Sequence, residues 1–461
     1  MTSRPPLKFG IILTSIALCS LLFILSLAMS SSILQSLVFS LSPLLLVFLF
    51  VSPFILLETL LIIRPSLDRV SDTLSLSLPL THDFTISLAQ GFGGGVVFLG
   101  ILFFFQYKKD IFKTPFSLPF FLLLGSGAIT LFYSIESSRT FYELLRLFSI
   151  FFIFLLAYRL VRNERQLKRL LIIILLSCVI PIITAWVQLL LGIGYTDSEF
   201  SVPRIYGTFA HPNIFALYLV VASASALLLF FFLQRRLSKG LLLFALGCIL
   251  LTLILTYSRA AWGTFFVFIG LITLLKFPKI LPLLLFFPLL LFFSSTSIQD
   301  RVYDAFEITP SSSLMWRVNI WNDTIDKTYQ EGKTLLGYGL NTFEVVAEDL
   351  RGLRFVVNDP HSEFVRSFVE GGFVGLAFFL FFSLFPVWVL WKRKNAISSE
   401  QGKEFFQRGQ LAFLILWCLI IALLLLSFTD HVLRSTMVQW ILWAMIGGVL
   451  GVYKAQEKNL D

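Results

Sequence analysis

The chain has 461 residues, of which 57% are hydrophobic and 14% are charged, with a formal net charge of +9. Soluble domains carry about 25% charged residues, so this composition excludes an ordinary soluble protein and predicts an all-α polytopic membrane protein. Lys and Arg collect in the cytoplasmic loops of such proteins, so the positive charge is no evidence for nucleic-acid binding.

The N-terminal part, residues 9–63, is almost continuously apolar and predicts two long or three short passes, the first of which we expect to be retained. Later apolar runs are each long enough to cross the hydrocarbon core, which predicts roughly 12–14 transmembrane helices in all. These runs lie at 88–106, 116–133, 141–161, 168–192, 209–233, 240–256, 260–276, 280–296, 364–391, 410–428 and 434–452.

Basic residues cluster in alternate connections, at 108–113, 162–169, 235–239, 276–279 and 392–394. Because basic loops stay in the cytoplasm, the other connections should face the opposite, outer side. These outer connections are 134–140, 193–208, 257–259, 297–363 and 429–433.

One large polar loop, residues 297–363, divides the chain into N-terminal membrane helices (1–296), the loop itself and C-terminal membrane helices (364–461). Ser313 could cap an amphipathic helix in this loop, and Asn341 could cap a second, short one. A loop of this length is usually functional or disordered, and its aromatic residues favour a folded cap. A passive covering over the helices is the alternative.

Histidines mark the outer face. His211, His361 and His431 all lie in or beside outer connections. Any one of them could be an interfacial polar residue without a role, but three on one face favour a shared site. His361 is the strongest candidate for a general base, because Asp359 and Glu363 flank it and could orient its ring.

Arginines are disfavoured on the outer side, yet Arg204, Arg259, Arg317 and Arg366 lie there. Arg259 stands at a hairpin tip with almost no loop, so it must lie at or just below the membrane surface. Such an arginine is usually paired or functional, although its side chain could also extend to the interface without a role. Because a guanidinium grips phosphate in a planar, bidentate way, we expect a site for a phosphorylated ligand.

Other types of chemistry find no support in the sequence. The outer loops contain no Asp-x-Asp pair, and the chain has no Gly-x-Ser-x-Gly or His-Glu-x-x-His motif. The four cysteines lie inside apolar runs without metal-ligand spacing, so we expect no zinc site and no disulfide framework. Glu143 and Arg146, three residues apart in one span, should form a structural pair.

Three motifs together resemble the O-antigen ligase and O-antigen polymerase superfamily of bacterial envelope glycosyltransferases. Residues 204–213 read Arg-Ile-Tyr-Gly-Thr-Phe-Ala-His-Pro-Asn, Ser258 and Arg259 occupy a hairpin tip, and residues 361–375 begin His-Ser-Glu-Phe and continue to Glu-Gly-Gly-Phe-Val-Gly. Arg317-x-x-x-Trp321 in the large loop is similar as well. The resemblance covers about residues 116–440, and residues 1–110 match poorly.

The resemblance implies the architecture of lipid-dependent, GT-C-like glycosyltransferases with one large periplasmic loop. It implies transfer of a glycan from undecaprenyl diphosphate to a hydroxyl of lipid A-core or a similar acceptor, at the periplasmic face of the bacterial inner membrane. The transfer would be inverting and would need no metal or cofactor. Arg204 and Arg259 would bind the diphosphate, His361 and Glu363 would be catalytic, and the supporting residues would be Arg317, Asp359, His211, Asn213 and Ser258.

Three alternatives stay open. A repeat-unit polymerase of the same superfamily differs only in its acceptor. A polyprenyl-glycan transporter or flippase would place charges near the membrane centre and show paired halves, whereas here the charges cluster at one face. A non-catalytic assembly scaffold is the third.

Overall fold

The structure is a computed structural model that describes residues 48–69, 75–77, 85–111, 113–197, 200–294, 296–306, 313–351, 359–396, 403–432 and 434–457. It confirms the all-α prediction, since strands in the described part form only two short antiparallel hairpins. Most of the predicted N-terminal passes, up to residue 47, lie outside the described residues.

Six helices and both hairpins precede the first part of the candidate site. They are α1 (Pro53–Ser66), β1 (Ser75–Ser77), β2 (Thr85–Ser87), α2 (Leu88–Ile111), α3 (Ser117–Thr130), α4 (Ser137–Leu160), α5 (Glu164–Leu176), α6 (Val179–Leu190), β3 (Tyr195–Asp197) and β4 (Phe200–Arg204). The remaining helices are α7 (Pro212–Phe232), α8 (Arg236–Leu255), α9 (Arg259–Lys276), α10 (Leu281–Ser294), α11 (Thr296–Phe306), α12 (Ser313–Gln330), α13 (Phe343–Arg351), α14 (Glu363–Ala396), α15 (Lys403–Leu426) and α16 (Thr436–Glu457).

Eight helical stretches among the described residues are long and apolar enough to cross a membrane. The chain is therefore a multi-pass membrane protein, and the count of about 12–14 helices stays a prediction. The predicted span 168–192 is divided into α5 and α6 at Ser177 and Cys178. Pro181 explains the break, because it has no N–H to bond the carbonyl four residues earlier.

Helix α16 lies at the centre of the bundle, with nearly all of its apolar segment buried. It packs most extensively against α4, and two glycines allow the close approach. A Cβ added to Gly447 would lie 2.7 Å from the carbonyl oxygen of Phe154, and one added to Gly451 would lie 2.5 Å from that of Val161. A rigid central helix of this kind fixes the segment just before it, which carries part of the candidate site.

The large loop has an apolar core of its own. Its members come from α12, the turn after it, α13 and the first turns of α14: Ile320, Tyr338, Phe343, Val346, Ala347, Phe368 and Val369. The loop residues thus fold onto the beginning of α14. The prediction that Asn341 caps α13 is wrong, because the helix begins at Phe343 and the Asn341 side chain instead accepts a hydrogen bond from Arg434 (2.8 Å).

Candidate active site

His361 stands where the large loop enters α14. Its backbone is left-handed, with φ at 47°, which costs a non-glycine residue about 1–2 kcal/mol. Its N–H donates to Asp359 Oδ1 (3.2 Å), and its ring faces His431 at a centroid distance of 5.2 Å. Backbone strain of this kind persists where the surroundings fix it and is common at functional sites.

The carboxylate beside the His361 ring is Asp430. Its Oδ1 lies 3.6 Å from His361 Nδ1. The sequence predicted Asp359 or Glu363 for this position, and the structure differs because Asp359 has other partners. Asp359 contacts His431 Nε2 and forms ion pairs with Arg366 (3.1 Å) and Arg434 (3.1 Å).

His431 Nε2 also lies 3.1 Å from the backbone nitrogen of His361. One ring nitrogen cannot donate and accept through the same site, so the two contacts compete. We assign the proton to Nε2, which donates to Asp359, because a charged acceptor makes the stronger hydrogen bond. The N–H of His361 is then satisfied by Asp359 alone.

Burial and the charges within this cluster shift the pKa values of Asp359, Asp430 and His431. Burial would raise the pKa of Asp359, but Arg366, His431 and Arg434 outweigh it and hold that pKa far below its usual range. Burial would also raise the pKa of Asp430, but His361 and His431 lower it to about 2. Burial and the charge of Arg366 lower the pKa of His431. Near neutral pH both carboxylates are therefore ionised and His431 is neutral.

Asp359, His361 and His431 could together hold a cation, since one ligand atom from each lies within 4.8 Å of the others. Arg366 and Arg434 place two positive charges against the same carboxylate. That charge opposes a divalent ion, so the cluster fits a metal poorly.

Arg434 links three segments around the cluster. It donates to Glu344 (2.6 Å) at the start of α13, to Asp359 (3.1 Å) and to Asn341 (2.8 Å). Burial would lower the pKa of Arg434, but Glu344 and Asp359 raise it, so the guanidinium stays protonated. Sequence reasoning missed Asp430, Arg434 and Glu344. The only available signal was the adjacent Asp430 and His431 in a short outer connection.

Two residues of α12 hold the segments that carry the histidines. Arg317 donates to the carbonyl of Thr429 (3.0 Å), and Trp321 Nε1 donates to that of Pro360 (2.5 Å). Arg317 thus contacts the connection that carries His431, and its supporting role stays a prediction. Glu363, in contrast, is 3% exposed and lines a cavity beside Arg366.

The other predicted residues form a second group. Arg204, 3% exposed, donates through Nε to the carbonyl of Thr256 (2.9 Å) and through a terminal nitrogen to Asn213 Oδ1 (2.6 Å). His211 caps α7, its Nδ1 accepting from the N–H of Asn213 (3.1 Å). These bonds tie the start of α7 to the hairpin tip before α9.

At that tip Ser258 occupies the N-cap of α9 and Arg259 its first position. The Ser258 hydroxyl is buried and has no hydrogen-bond partner among the described residues. A helix N-terminus carries partial positive charge and exposed N–H groups. The tip therefore has the properties of an anion-binding site.

Helix packing relates the two groups. Both α7 and α9, which begin at the second group, pack against α15, which ends just before Asp430. In the predicted orientation all three ends face the outer side. That orientation would place both groups, the His361 cluster and the Arg204–Arg259 group, at one end of the bundle.

Comparison with known proteins agrees with this arrangement. Residues 244–380 match the family described as O-Antigen ligase. The match includes Ser258, Arg259, Arg317, His361 and Arg366, and leaves Arg204 and Asp430 outside it. No curated protein matches the chain.

The predicted resemblance to the O-antigen ligase superfamily is thereby confirmed. Residues 244–380 are similar to the O-antigen ligase family, whose members are glycosyltransferase-like enzymes.

Proposed function

We propose that this protein is an O-antigen ligase-like glycosyltransferase that moves a glycan from undecaprenyl diphosphate to a hydroxyl of lipid A-core or a similar acceptor. The reaction takes place at the periplasmic face of the inner membrane and inverts the anomeric centre. The observation that carries the proposal is the Asp430 carboxylate beside His361, a histidine in the segment that matches the O-antigen ligase family.

His361 is the general base in this proposal. A sugar hydroxyl is a poor nucleophile until a base removes its proton. The imidazole takes that proton while the hydroxyl oxygen attacks the anomeric carbon. The bond from that carbon to the diphosphate oxygen breaks, and the electron pair leaves with the lipid diphosphate. Asp430, ionised at 3.6 Å from Nδ1, stabilises the resulting imidazolium.

The leaving diphosphate needs fixed positive charge. Ser258 and Arg259 supply a hydroxyl, a guanidinium and a helix N-terminus at one point. Arg204 has two roles in the proposal, because it binds the diphosphate and also holds the hairpin tip through Thr256. These two arginines would supply the positive charge without a metal ion.

Substitution of the base and of the phosphate ligand tests the proposal. We expect His361→Ala and Arg259→Ala to lower transfer by at least about 100-fold, because general bases and oxyanion contacts each contribute about that much. Transfer is measured with purified protein in detergent and a lipid-linked donor. Arg236→Ala is the matched control, an exposed arginine at the first position of α8 on the other face.

Near-wild-type product from both variants, with normal membrane insertion, would contradict the site. Product in detergent also separates an enzyme from a flippase, because no gradient or second compartment exists there. Complementation of ligase-null and polymerase-null cells distinguishes the acceptors. We expect glycan on lipid A-core in the first strain, and long chains on carrier lipid in the second would indicate a polymerase instead.

A further inference from the structure

The segment that follows Arg204, residues 205–209, is a turn without helix or strand structure. It is packed into the protein, since Ile205, Tyr206 and Phe209 are all buried. Backbone N–H and carbonyl groups in a buried turn need hydrogen-bond partners from outside it. The residues that supply those partners therefore help to fix the place of Arg204.

Gln188, near the end of α6, supplies three of these hydrogen bonds. Its side-chain oxygen accepts from the N–H groups of Tyr206 (3.0 Å) and Gly207 (2.9 Å), and its side-chain nitrogen donates to the carbonyl of Gly207 (2.9 Å). Gln188 is buried, and a buried amide without partners would be costly. Its side chain thus bonds the turn in the way that a neighbouring strand would.

The backbone of Gln188 is itself held in place. Helix α6 ends in a glycine C-cap, because Gly192 has a φ of 65° and Ile193 donates its N–H to the carbonyl of Gln188 (2.9 Å). The turn also lies directly on α6, since a Cβ added to Gly207 would lie 2.6 Å from the carbonyl oxygen of Pro181. The turn is therefore fixed to a well-defined helix end.

The segment after α1 holds the other part of the turn. The N–H of Arg69 donates to the carbonyl of Thr208 (2.9 Å), and the Thr208 hydroxyl donates to the carbonyl of Pro65 (2.7 Å). These bonds act at Thr208, whereas Gln188 bonds the backbone closer to Arg204. Loss of the Gln188 side chain should therefore loosen the turn near Arg204 without releasing it completely.

Arg204 connects this turn to the hairpin tip before α9. Its Nε donates to the carbonyl of Thr256 (2.9 Å), two residues before Ser258. Because Arg204 is only two residues from Tyr206, a shift of the turn displaces the arginine and, through it, the tip. The contacts thus form a continuous connection from Gln188 to Arg259.

We propose that Gln188 is a positioning residue, which sets the place of Arg204 through the turn and the place of Arg259 through Arg204. The inference rests on the proposed function for its effect on transfer, and it brings α6 into the site although α6 lies outside the matched residues 244–380. A misplacement of about 1 Å far from the reacting atoms can cost about 100-fold in rate. An amide that touches no substrate can therefore control the reaction.

Gln188→Leu tests this connection, because leucine suits an apolar helix but forms none of the three bonds. We expect hydrogen–deuterium exchange of the detergent-purified full chain, followed by mass spectrometry, to become about tenfold faster in residues 205–209 and also in the tip, residues 254–262. A factor of ten corresponds to the net contribution of about one hydrogen bond. Gln188→Met should give the same result, so a folding defect in one variant leaves the other.

The same substitution in an Arg204→Ala chain separates a connected effect from a local one. We expect Gln188→Leu to accelerate exchange in residues 205–209 there as well. Exchange in the tip should not rise beyond that of Arg204→Ala alone, because the connection through the guanidinium is already removed. Two substitutions that act through one contact are non-additive in this way.

Transfer with purified protein in detergent is the second measurement. Gln188→Leu should lower it about tenfold or more. Gln166→Leu is the matched control, because Gln166 lies at the opposite end of the same span, Glu164–Leu190, and its side chain also accepts a backbone N–H, that of Arg162 (2.8 Å). This control should lower the melting temperature and leave both transfer and exchange of the tip at wild-type values.

Wild-type exchange of the tip in the Gln188 variants would overturn the inference, because the side chain would then stabilise only its own turn. An equal additional rise at the tip in the Arg204→Ala chain would overturn it too, and so would wild-type transfer despite faster exchange. A wild type that transfers no glycan would contradict the proposed function instead. The exchange measurements would then still test the connection from Gln188 to the tip.

Discussion

At the residue scale, each histidine of the cluster has its own carboxylate. His361 stands beside Asp430, and His431 contacts Asp359. The His361 side chain is 23% exposed and that of His431 11%, so an acceptor hydroxyl reaches His361 more easily. His431 is neutral and its contact holds Asp359. We therefore infer that His361 exchanges the proton while His431 positions the aspartate.

The Asp430 carboxylate should make the fold sensitive to acid. Its pKa is about 2 in the folded protein and about 3.9 in unfolded chains. A carboxyl group whose pKa is lower in the folded state stabilises the fold at pH values above its pKa in the unfolded state. This stabilisation is lost as the pH falls toward the pKa in the folded state. The gain is on the order of 2 kcal/mol. Asp430→Asn should have a lower melting temperature than the wild type at neutral pH. Between about pH 5 and pH 3, the melting temperature of the variant should fall less than that of the wild type.

Thermal unfolding in detergent across that pH range provides the measurement. Asp300→Asn is the control, because Asp300 is exposed on α11, and it should follow the wild-type curve. Identical pH dependence in Asp430→Asn and the wild type would show that Asp430 gains no stability from the histidines.

Residue types and motif order led to His361, Arg259 and Arg317 as candidate site residues, and their roles stay predictions. They were not enough to assign partners. Asp430 follows a different helix, α15, and only the packing of α14 against α15 brings it to His361. Asp359 was predicted because it is close to His361 in sequence. In the structure it contacts Arg366, Arg434 and His431, and the spacing of residues in the sequence does not indicate these contacts.

At the element scale, the most informative feature is a break in α14 at Gly372, whose φ and ψ are 61° and −157°. A break leaves backbone groups without helical partners. The segment after α12 satisfies them: Tyr338 donates to the carbonyl of Val369 (3.1 Å), and Phe373 donates to that of Thr334 (2.8 Å). The large loop is thus bonded directly to the membrane helix that follows His361.

Glycine is required on both sides of this contact. A Cβ on Gly337 would lie 2.4 Å from the carbonyl carbon of Glu370, and one on Gly372 would lie 2.3 Å from that of Leu335. Both residues also have positive φ. We expect Gly337→Ala and Gly372→Ala to lower the melting temperature and the transfer rate together, because backbone must move and Asn341 loses its place beside Arg434.

Gly332→Ala separates strain from steric clash. Gly332 has a similar φ of 67°, but an added Cβ meets nothing within 4 Å. This control should cost only the left-handed penalty of about 1–2 kcal/mol and leave transfer unaffected. If it were as damaging as the other two variants, backbone strain alone would account for the loss, and the contact with α14 would have no special importance.

The apolar runs predicted the membrane helices well, because burial in hydrocarbon requires long uninterrupted apolar stretches. The break at Gly372 was not predictable in the same way. Two adjacent glycines inside an apolar helix are compatible with close packing, a kink or no distortion. Only the loop segment 334–339, which is distant in sequence, supplies the hydrogen bonds that stabilise the break.

At the scale of the whole molecule, the candidate site lies between two hydrophobic cores. The bundle core centres on α16, and the loop has its own smaller core on the start of α14. His361 lies at the junction between these two cores, and His431 lies in the connection between α15 and α16. In the proposed function, substrates would have to reach this junction from the outer face or sideways from the bilayer.

The predicted orientation can be tested independently of activity. In a chain with its four cysteines replaced by serine, we expect an impermeant maleimide added to spheroplasts to label Leu335→Cys in the large loop. Leu237→Cys, at the other end of the bundle, should react only after permeabilisation. Both side chains are largely exposed, at 60% and 77%, so a difference in labelling reports the membrane side. The reverse pattern would place His361 in the cytoplasm, and a periplasmic transferase could not then use this site.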